Sequence, residues 1–434
     1  METQVQTGVS ATITKYRWTI CGLLFFATTI NYLDRQIIGL LKPTLEKEFL
    51  WTESDYGNIV MTFSAAYTLG FLFFGRVIDK IGTKLGYIIS IVVWSIAAIF
   101  HAAVRSTGGF HIARAALGVG EAGNFPAAIK AVAEWFPKKE RALATGIFNS
   151  GANIGAVVAP ILVPWLLAAY GWREAFWITG ATGFIWLIFW LIYYDVPSKQ
   201  KRVSAAEYQY IHSDYEDTAS REKPVKWFSL FGVRQTWAFV FGKMLTDPIW
   251  WFFLFWLPSY FSSAFSIDLK KPSLHLAVIY TMTTIGSIGG GYLSSYLIGK
   301  GWPVFKARKT AMLIFAICVT PVTLAQFATN AWMAVVFISI AAAAHQAWSA
   351  NIFTTASDMF PKKAVSSVVG IGGMAGAAGN ILFPLMAGMI LDHYKLLGNI
   401  TTGYNLLFVI CGSMYIVAWL IMHVLTPKMK TVDI

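Results

Sequence analysis

Charged side chains are scarce in this chain. Asp, Glu, Lys and Arg make up 13% of its 434 residues, where soluble domains carry about 25%. With 56% hydrophobic residues and a mean hydropathy of +0.57, the sequence belongs in a bilayer rather than in water. Cysteine is equally sparse: Cys21, Cys318 and Cys411 stand far apart, each inside an apolar segment. That excludes a disulfide framework and a thiolate metal site, and leaves them as small core residues. The seven histidines are scattered, so neither a metal cluster nor a catalytic dyad for an intramembrane enzyme is visible. No cleavable signal is expected either, because residues 1–14 are polar and the first apolar segment is too long for a signal core.

What the chain has in quantity is apolar segments of roughly 20 residues, enough to cross the hydrocarbon. Six lie near 18–41, 57–78, 85–104, 109–134, 142–167 and 173–194. The polar stretch "DVPSKQKRVSAAEYQYIHSDYEDTASREKPVK" follows, and six more lie near 236–261, 276–299, 310–328, 331–356, 366–391 and 403–425. The predicted division is an N-terminal six-helix half at 1–194, a linker at 195–235 and a C-terminal six-helix half at 236–434. Basic residues collect on alternate sides: Lys15 and Arg17, Lys80 and Lys84, "PKKER", the central loop, "KARK", "PKK", Lys428 and Lys430. Such a bias places both termini and the linker in the cytoplasm. The net charge of +12 is then a topology signal, and no nucleic-acid partner is implied.

Within the apolar segments lies a repeat. "AEWFPKKERALATGIFNSGANIGAVVAPIL" starts at Ala133 and "SDMFPKKAVSSVVGIGGMAGAAGNILFPLM" at Ser357. Phe136 and Phe360 are 224 positions apart, and so are Pro137 and Pro361, Gly146 and Gly370, Gly155 and Gly379, Pro160 and Pro384. Segments four and five thus recur as ten and eleven in the same orientation, an arrangement of parallel halves with a substrate site between them near the midplane. A twofold repeat with asymmetric charges disfavours a channel, which needs a repeated pore loop or a charge ring.

These features resemble the major facilitator superfamily. "GRVIDKIGTK" at Gly75–Lys84 is similar to its glycine–aspartate–basic loop motif, and "RAALGVGEAGNFPA" to its arginine-led motif in helix four. The pattern Tyr32, Asp34, Arg35 in helix one is similar to the narrower anion:cation symporter family. "GNFPAAIKAVAEWFPKKERALATGIFNSGANIGAVVAP" and "AHQAWSANIFTTASDMF" resemble bacterial hexuronate transporters. The resemblance implies an all-α fold of twelve membrane helices in a bacterial inner membrane, a small organic anion as cargo, protons as the coupling ion and no other cofactor, with the monomer as the working unit. It makes Asp34 and Glu121 the proton-coupling pair, Tyr67 a substrate-site residue, and Arg114 a structural or relay arginine.

The residues themselves carry part of this reading. A charge at the centre of a membrane helix costs roughly 2.5–3.5 kcal/mol on insertion scales, so such residues face the bundle interior and have partners. Asn31 and Arg35 are one helical turn apart, and Arg35 suits a carboxylate because its planar fork binds one bidentately. Asp34 points about 100° away from Arg35; alternatively both merely neutralise charges on neighbouring helices. Glu121 shares a face with Arg114; removal from water penalises its charged form and can bring it into the range where a proton is exchanged, or it serves as a static partner for Arg114 or Arg35. In helix seven, Lys243 and Asp247 at i,i+4 form either a gating pair or a substrate contact. The repeat pairs Glu121 with His345 at equal depth. His345, Gln346 and Asn351 are candidates to bond sugar hydroxyls, and Trp348 to stack on a pyranose. Asn149 and Asn153 on helix five and Asn380 on helix eleven are smaller polar candidates; Ala152 stands where the family often has glutamine. Asp79, the "FPKK" ends and Arg141 would hold a cytoplasmic gate, and Lys130 is expected to snorkel toward the cytoplasm. "GVGEAG" and "GGMAGAAG" follow no strand and precede no phosphate-binding lysine, so close helix packing explains them.

The sequence thus predicts a proton-coupled symporter for a sugar-acid monoanion, most simply a hexuronate such as galacturonate or glucuronate. An aldonate or aldarate carrier (galactonate, glucarate), or one for another organic anion, is the alternative.

Overall fold

A computed structural model describes residues 14–51, 53–213, 227–267 and 274–432. The polar N-terminal residues 1–13 and the linker residues 214–226 lie outside the described residues. Helix dominates, and there is no strand among the described residues.

The first half runs α1 (Tyr16–Phe49), α2 (Glu53–Ile81), α3 (Thr83–Ala103), α4 (Thr107–Glu121), α5 (Asn124–Trp135), α6 (Lys138–Tyr170) and α7 (Trp172–Tyr193). A short helix, α8 (Ala205–Ile211), lies in the linker. The second half runs α9 (Arg234–Phe265), α10 (Leu274–Gly299), α11 (Val304–Val319), α12 (Ala331–Met359), α13 (Lys362–Leu396) and α14 (Ile400–Leu425). Among the described residues nine helices are long and apolar enough to cross a membrane. The spans made by α1, by α4 with α5, and by α9 complete the twelve, and these three carry Asp34, Arg35, Arg114, Glu121, Lys243 and Asp247.

The helix ends follow from local chemistry. Ser106, Asn330 and Asn399 cap α4, α12 and α14 by accepting backbone N–H bonds from Gly109, Met333 and Thr402. Pro137 and Pro361 stand at the N-caps of α6 and α13 with φ of −63° and −62°, so each "FPKK" is a turn between one span and the next.

Two expected segments are not continuous α-helices. The segment predicted at 109–134 breaks at Ala122–Gly123. Pro126 cannot donate to the carbonyl of Ala122, and the Ser90 hydroxyl draws on the Gly120 carbonyl at 2.6 Å. The segment predicted at 310–328 passes into a 3-10 helix over Thr320–Phe327, which Pro321 starts.

Inside the first half α1 packs on α6, α2 on α4 and α3 on α7; inside the second α10 packs on α12 and α9 on α14. Between halves α2 lies against α13 and α6 against α10. Glycines set how closely those pairs approach. A Cβ on Gly75 would sit 2.4 Å from the Ser366 carbonyl oxygen, and one on Gly370 2.4 Å from that of Phe71. A Cβ on Gly291 would sit 2.2 Å from the Ala142 oxygen, and one on Gly146 2.3 Å from that of Ser287. The second pair of contacts repeats the first. Ala142 and Ser366, like Gly146 and Gly370, are 224 apart, while Gly75 and Gly291, like Phe71 and Ser287, are 216 apart.

Candidate functional site

A cavity opens between the halves. From the first half it is lined by Arg35, Tyr67 and Asn149; from the second by Lys243, His345 and Asn380, with Tyr32, Asp247, Gln346 and Ser349 beside them. Two cations from opposite halves therefore face one space, and each is held by an acid of its own half. Arg35 Nε donates to Glu121 Oε2 at 2.9 Å, and Lys243 Nζ pairs with Asp247 Oδ2 at 2.7 Å. The helix-seven pair thus lies within the cavity as an ion pair.

Arg35 is clamped on several sides. Its second fork nitrogen approaches Asn31 Oδ1 at 3.4 Å. Its guanidinium carbon lies 4.6, 5.3 and 4.4 Å from the ring centres of Tyr32, Phe63 and Tyr67, within the range of cation–π attraction. Glu121, the last residue of α4, is fully buried and reaches the cavity only through Arg35. Asn31 is likewise behind Arg35 and fully buried; the expected substrate contact is instead a hold on the arginine. Arg114 donates to the Arg35 carbonyl at 3.4 Å and lies 5.6 Å from the Phe63 ring centre.

Asp34, expected to carry a proton, does not line the cavity. It is fully buried inside the first half, with Thr179 of α7 beside its carboxyl group. The 100° between neighbouring helix positions sends Arg35 to the cavity and Asp34 behind it.

In the second half, His345 lines the cavity with its ring parallel to Trp250, 5.4 Å between centres at 2°. Trp348, expected to stack on a sugar, does not line the cavity. It is fully buried with its ring edge-on to Tyr415 of α14 at 5.5 Å. Asn351 also turns away and donates to the Gly290 carbonyl of α10 at 2.9 Å. Asn153 stands one layer back, accepting from Gln346 Nε2 at 3.4 Å, while Asn149 bonds Gln346 Oε1 at 3.1 Å. With its amide oriented so that both ends are satisfied, Asn380 donates to the Gly376 carbonyl at 3.2 Å and accepts from Trp251 Nε1 at 2.6 Å.

The seam between the halves lies at the end of the bundle that carries the termini and the linker. Asp79 accepts from the Ser366 and Ser367 amides at the start of α13, at 3.2 and 2.6 Å. Lys130, expected to snorkel into solvent, is buried and bonds Asp79 at 2.9 Å and the Ile78 carbonyl at 3.2 Å. Break and register in helix four turn it inward, where only a counter-charge makes its burial tolerable. The relation between halves holds here too: Ser295 accepts from the Leu143 amide at 3.3 Å, at the offsets that link Asp79 to Ser367. One side of the seam uses a carboxylate and the other a hydroxyl. Arg141 crosses the seam to the Ser357 carbonyl at 2.7 Å and to Asp358 at 3.3 Å. Arg308 binds the other oxygen of Asp358 at 3.0 Å and the Lys138 carbonyl at 2.7 Å. Asp358 and Arg308 were not singled out from sequence, although Asp358 directly precedes "MFPKK" and Arg308 lies 224 residues after Lys84.

The Major Facilitator Superfamily profile matches residues 24–384. The chain is 31% identical over 421 residues to a hexuronate transporter of Escherichia coli (strain K12), covering 96% of both chains. It is 36% identical over 279 residues to a galacturonate transporter of Dickeya chrysanthemi, covering 64% of this chain and 81% of that one. In fold it is similar to the proton:xylose symporter XylE, with a TM-score of 0.73 at 16% identity over 96% of this chain and 97% of that one. Twelve helices in two related halves, a cavity between them and a match across most of the length together make this chain a member of the Major Facilitator Superfamily.

Proposed function

We propose that this chain is a proton-coupled symporter importing a hexuronate monoanion, such as galacturonate or glucuronate, by alternating access. The observation that carries the reading is the chemistry of the cavity wall: a cation from each half, amides, and aromatic rings. Arg35 takes the carboxylate, for which its fork is suited. Asn149, Gln346 and Asn380 serve the hydroxyls, and Tyr67 and Trp250 offer apolar faces to the pyranose ring. The hexuronate relatives support the same cargo.

Protons travel on Asp34 and Glu121. Glu121 touches Arg35 directly, so a proton on Glu121 frees the guanidinium for the substrate. Asp34, buried behind the cavity wall, responds to the same site through the helix it shares with Arg35. One proton with one monoanion moves no net charge, so coupling to membrane voltage needs at least two protons, and two acids allow that. With the basic loops inside, the Asp79 and Asp358 seam closes the cytoplasmic side. Release then requires the halves, 1–194 and 236–434, to part there about the linker 195–235. The monomer contains every part this cycle needs.

A second reading rests on Lys243. An aldarate would place one carboxylate on Arg35 and the other on Lys243, which a monocarboxylate uses only through its hydroxyls.

The test is uptake of labelled galacturonate into proteoliposomes under an inward proton gradient, beside thermal-shift measurements with uronates, aldonates and aldarates. Only ligands that bind the native state raise its melting temperature. Accumulation that collapses with the gradient is expected. Stabilisation by aldarates alone would move the cargo to the second reading, and no response to any sugar acid would overturn both.

A further inference from the structure

His345 has its hydrogen-bonding role set by the protein around it. Its Nδ1 meets the Tyr415 hydroxyl in a short contact, and that same hydroxyl lies 3.2 Å from the Thr246 carbonyl oxygen. A carbonyl oxygen only accepts, and a tyrosine has one hydrogen to give. If Tyr415 donates to Thr246, its oxygen is left to accept, so Nδ1 must carry the proton. The opposite arrangement would spend the tyrosine hydrogen on Nδ1 and leave two oxygens facing each other through lone pairs in a buried site. The Trp250 ring, parallel to the imidazole at 2°, holds its plane. Nε2 makes no hydrogen bond among the described residues, and the ring lines the cavity.

We infer that His345 is a specificity-determining residue that presents Nε2 as a hydrogen-bond acceptor and so selects a substrate bearing a hydroxyl donor at one ring position. The inference rests on the sugar-acid reading for its ligand but not for its geometry. It gives the second half a role distinct from that of Arg35. Arg35 and Lys243 are donor-only groups that read acceptors on the cargo, whereas His345 reads a donor. The site then rejects an acid of the same charge and size whose hydroxyl is missing, because a buried acceptor would be left unpaired.

Two measurements test this. First, 15N magnetic resonance of histidine-labelled protein in lipid, with His345→Gln used to assign the signal, reads which ring nitrogen is protonated. A proton on Nδ1 with Nε2 bare is expected in the wild type, and Tyr415→Phe should lose that preference. A proton on Nε2, or on both nitrogens, would overturn the inference whatever the cargo. Second, binding of galacturonate is compared with that of its 2-, 3- and 4-deoxy and fluoro analogues. A fluorine cannot donate, so at one position both replacements should weaken wild-type binding by about five- to tenfold. His345→Ala should show no such discrimination there. Equal losses in wild type and variant at every position would overturn the inference while leaving the uronate reading intact. Failure of the wild type to bind galacturonate, with Nδ1 protonated, would remove the uronate reading and leave the acceptor role standing for another hydroxylated acid. Unfolding midpoints without ligand check that the variants are folded.

Discussion

Replacing Asp79 by Asn separates what holds one half together from what holds the halves to each other. Asp79 accepts two backbone amides across the seam, at 3.2 and 2.6 Å, and one ammonium, Lys130, at 2.9 Å within its own half. Hydrogen bonds to a charged group contribute about 1.5–3 kcal/mol each. An asparagine keeps one acceptor but turns an N–H₂ toward other donors, so about 2–4 kcal/mol of seam stability is lost. At about 1.4 kcal/mol per tenfold, the closed seam weakens against the open one by roughly 30- to 700-fold. Lys130, left buried without its counter-charge, adds a loss of about 3–5 kcal/mol in the stability of the first half. That second cost cancels between conformations, because Lys130 moves together with residue 79. The assay is the alkylation rate of a cysteine introduced at Ser295, in the seam, in a background lacking Cys21, Cys318 and Cys411. Under fast opening and closing the rate follows the open population, and Asp79→Asn should raise it by the factor above. Adding Lys130→Met should restore the melting temperature but not the slow alkylation. An unchanged rate beside a lowered melting temperature would refute the seam role and leave Asp79 serving its own half only.

Glu121→Gln keeps an acceptor beside Arg35 Nε but cannot carry a proton; it should abolish uptake driven by a pH gradient while sparing counterflow exchange, and loss of both would assign Glu121 to binding. Trp348→Ala should lower stability by about 3–5 kcal/mol, as expected for a buried indole, with galacturonate affinity unchanged; a tenfold loss of affinity in protein that remains folded would return Trp348 to the site. Gly146→Leu drives a side chain into the Ser287 carbonyl and should hold the seam apart, seen as fast alkylation at Ser295→Cys without any change at Asp79. Ser295→Ala, which removes the neutral counterpart of Asp79, should weaken the seam by about 0.5–1.5 kcal/mol, as for an uncharged hydrogen bond, read as alkylation of a cysteine at Ser366, whose side chain also lies in the seam; an effect as large as that of Asp79→Asn with the same probe would refute the asymmetry between the two sides.

Much of this architecture was legible because a bilayer makes its demands in composition. The apolar lengths gave twelve spans, and "FPKK" gave the repeat because a proline turn between two spans tolerates little change. The relation between α2 and α10 was hidden: it runs at 216 rather than 224, and only contacts in space bring Gly75 and Gly291 into correspondence. Within the site, charge was readable and direction was not. Arg35, Lys243 and Asp247 declared themselves as charges in apolar surroundings, and each lines the cavity. Trp348 and Asn351 lie on the same helix as His345, but which faces of α12 meet its neighbours depends on packing that a single helix does not encode. Tyr415 gave no signal at all, since a tyrosine in a membrane helix is commonplace and its importance comes from lying beside His345 and Thr246.

The glycine contacts between the halves bear on leakage. The proposed proton coupling is useful only if protons cannot pass alone, and protons cross a protein along files of water or between titratable side chains. Where Gly75 meets the Ser366 carbonyl and Gly291 that of Ala142, backbone touches backbone and offers neither route. The same contacts interlock no long side chains, so parting them requires no rotamer to withdraw. Insulation and ease of opening thus come from one choice of residue, and a larger side chain at any of these positions would trade one for the other.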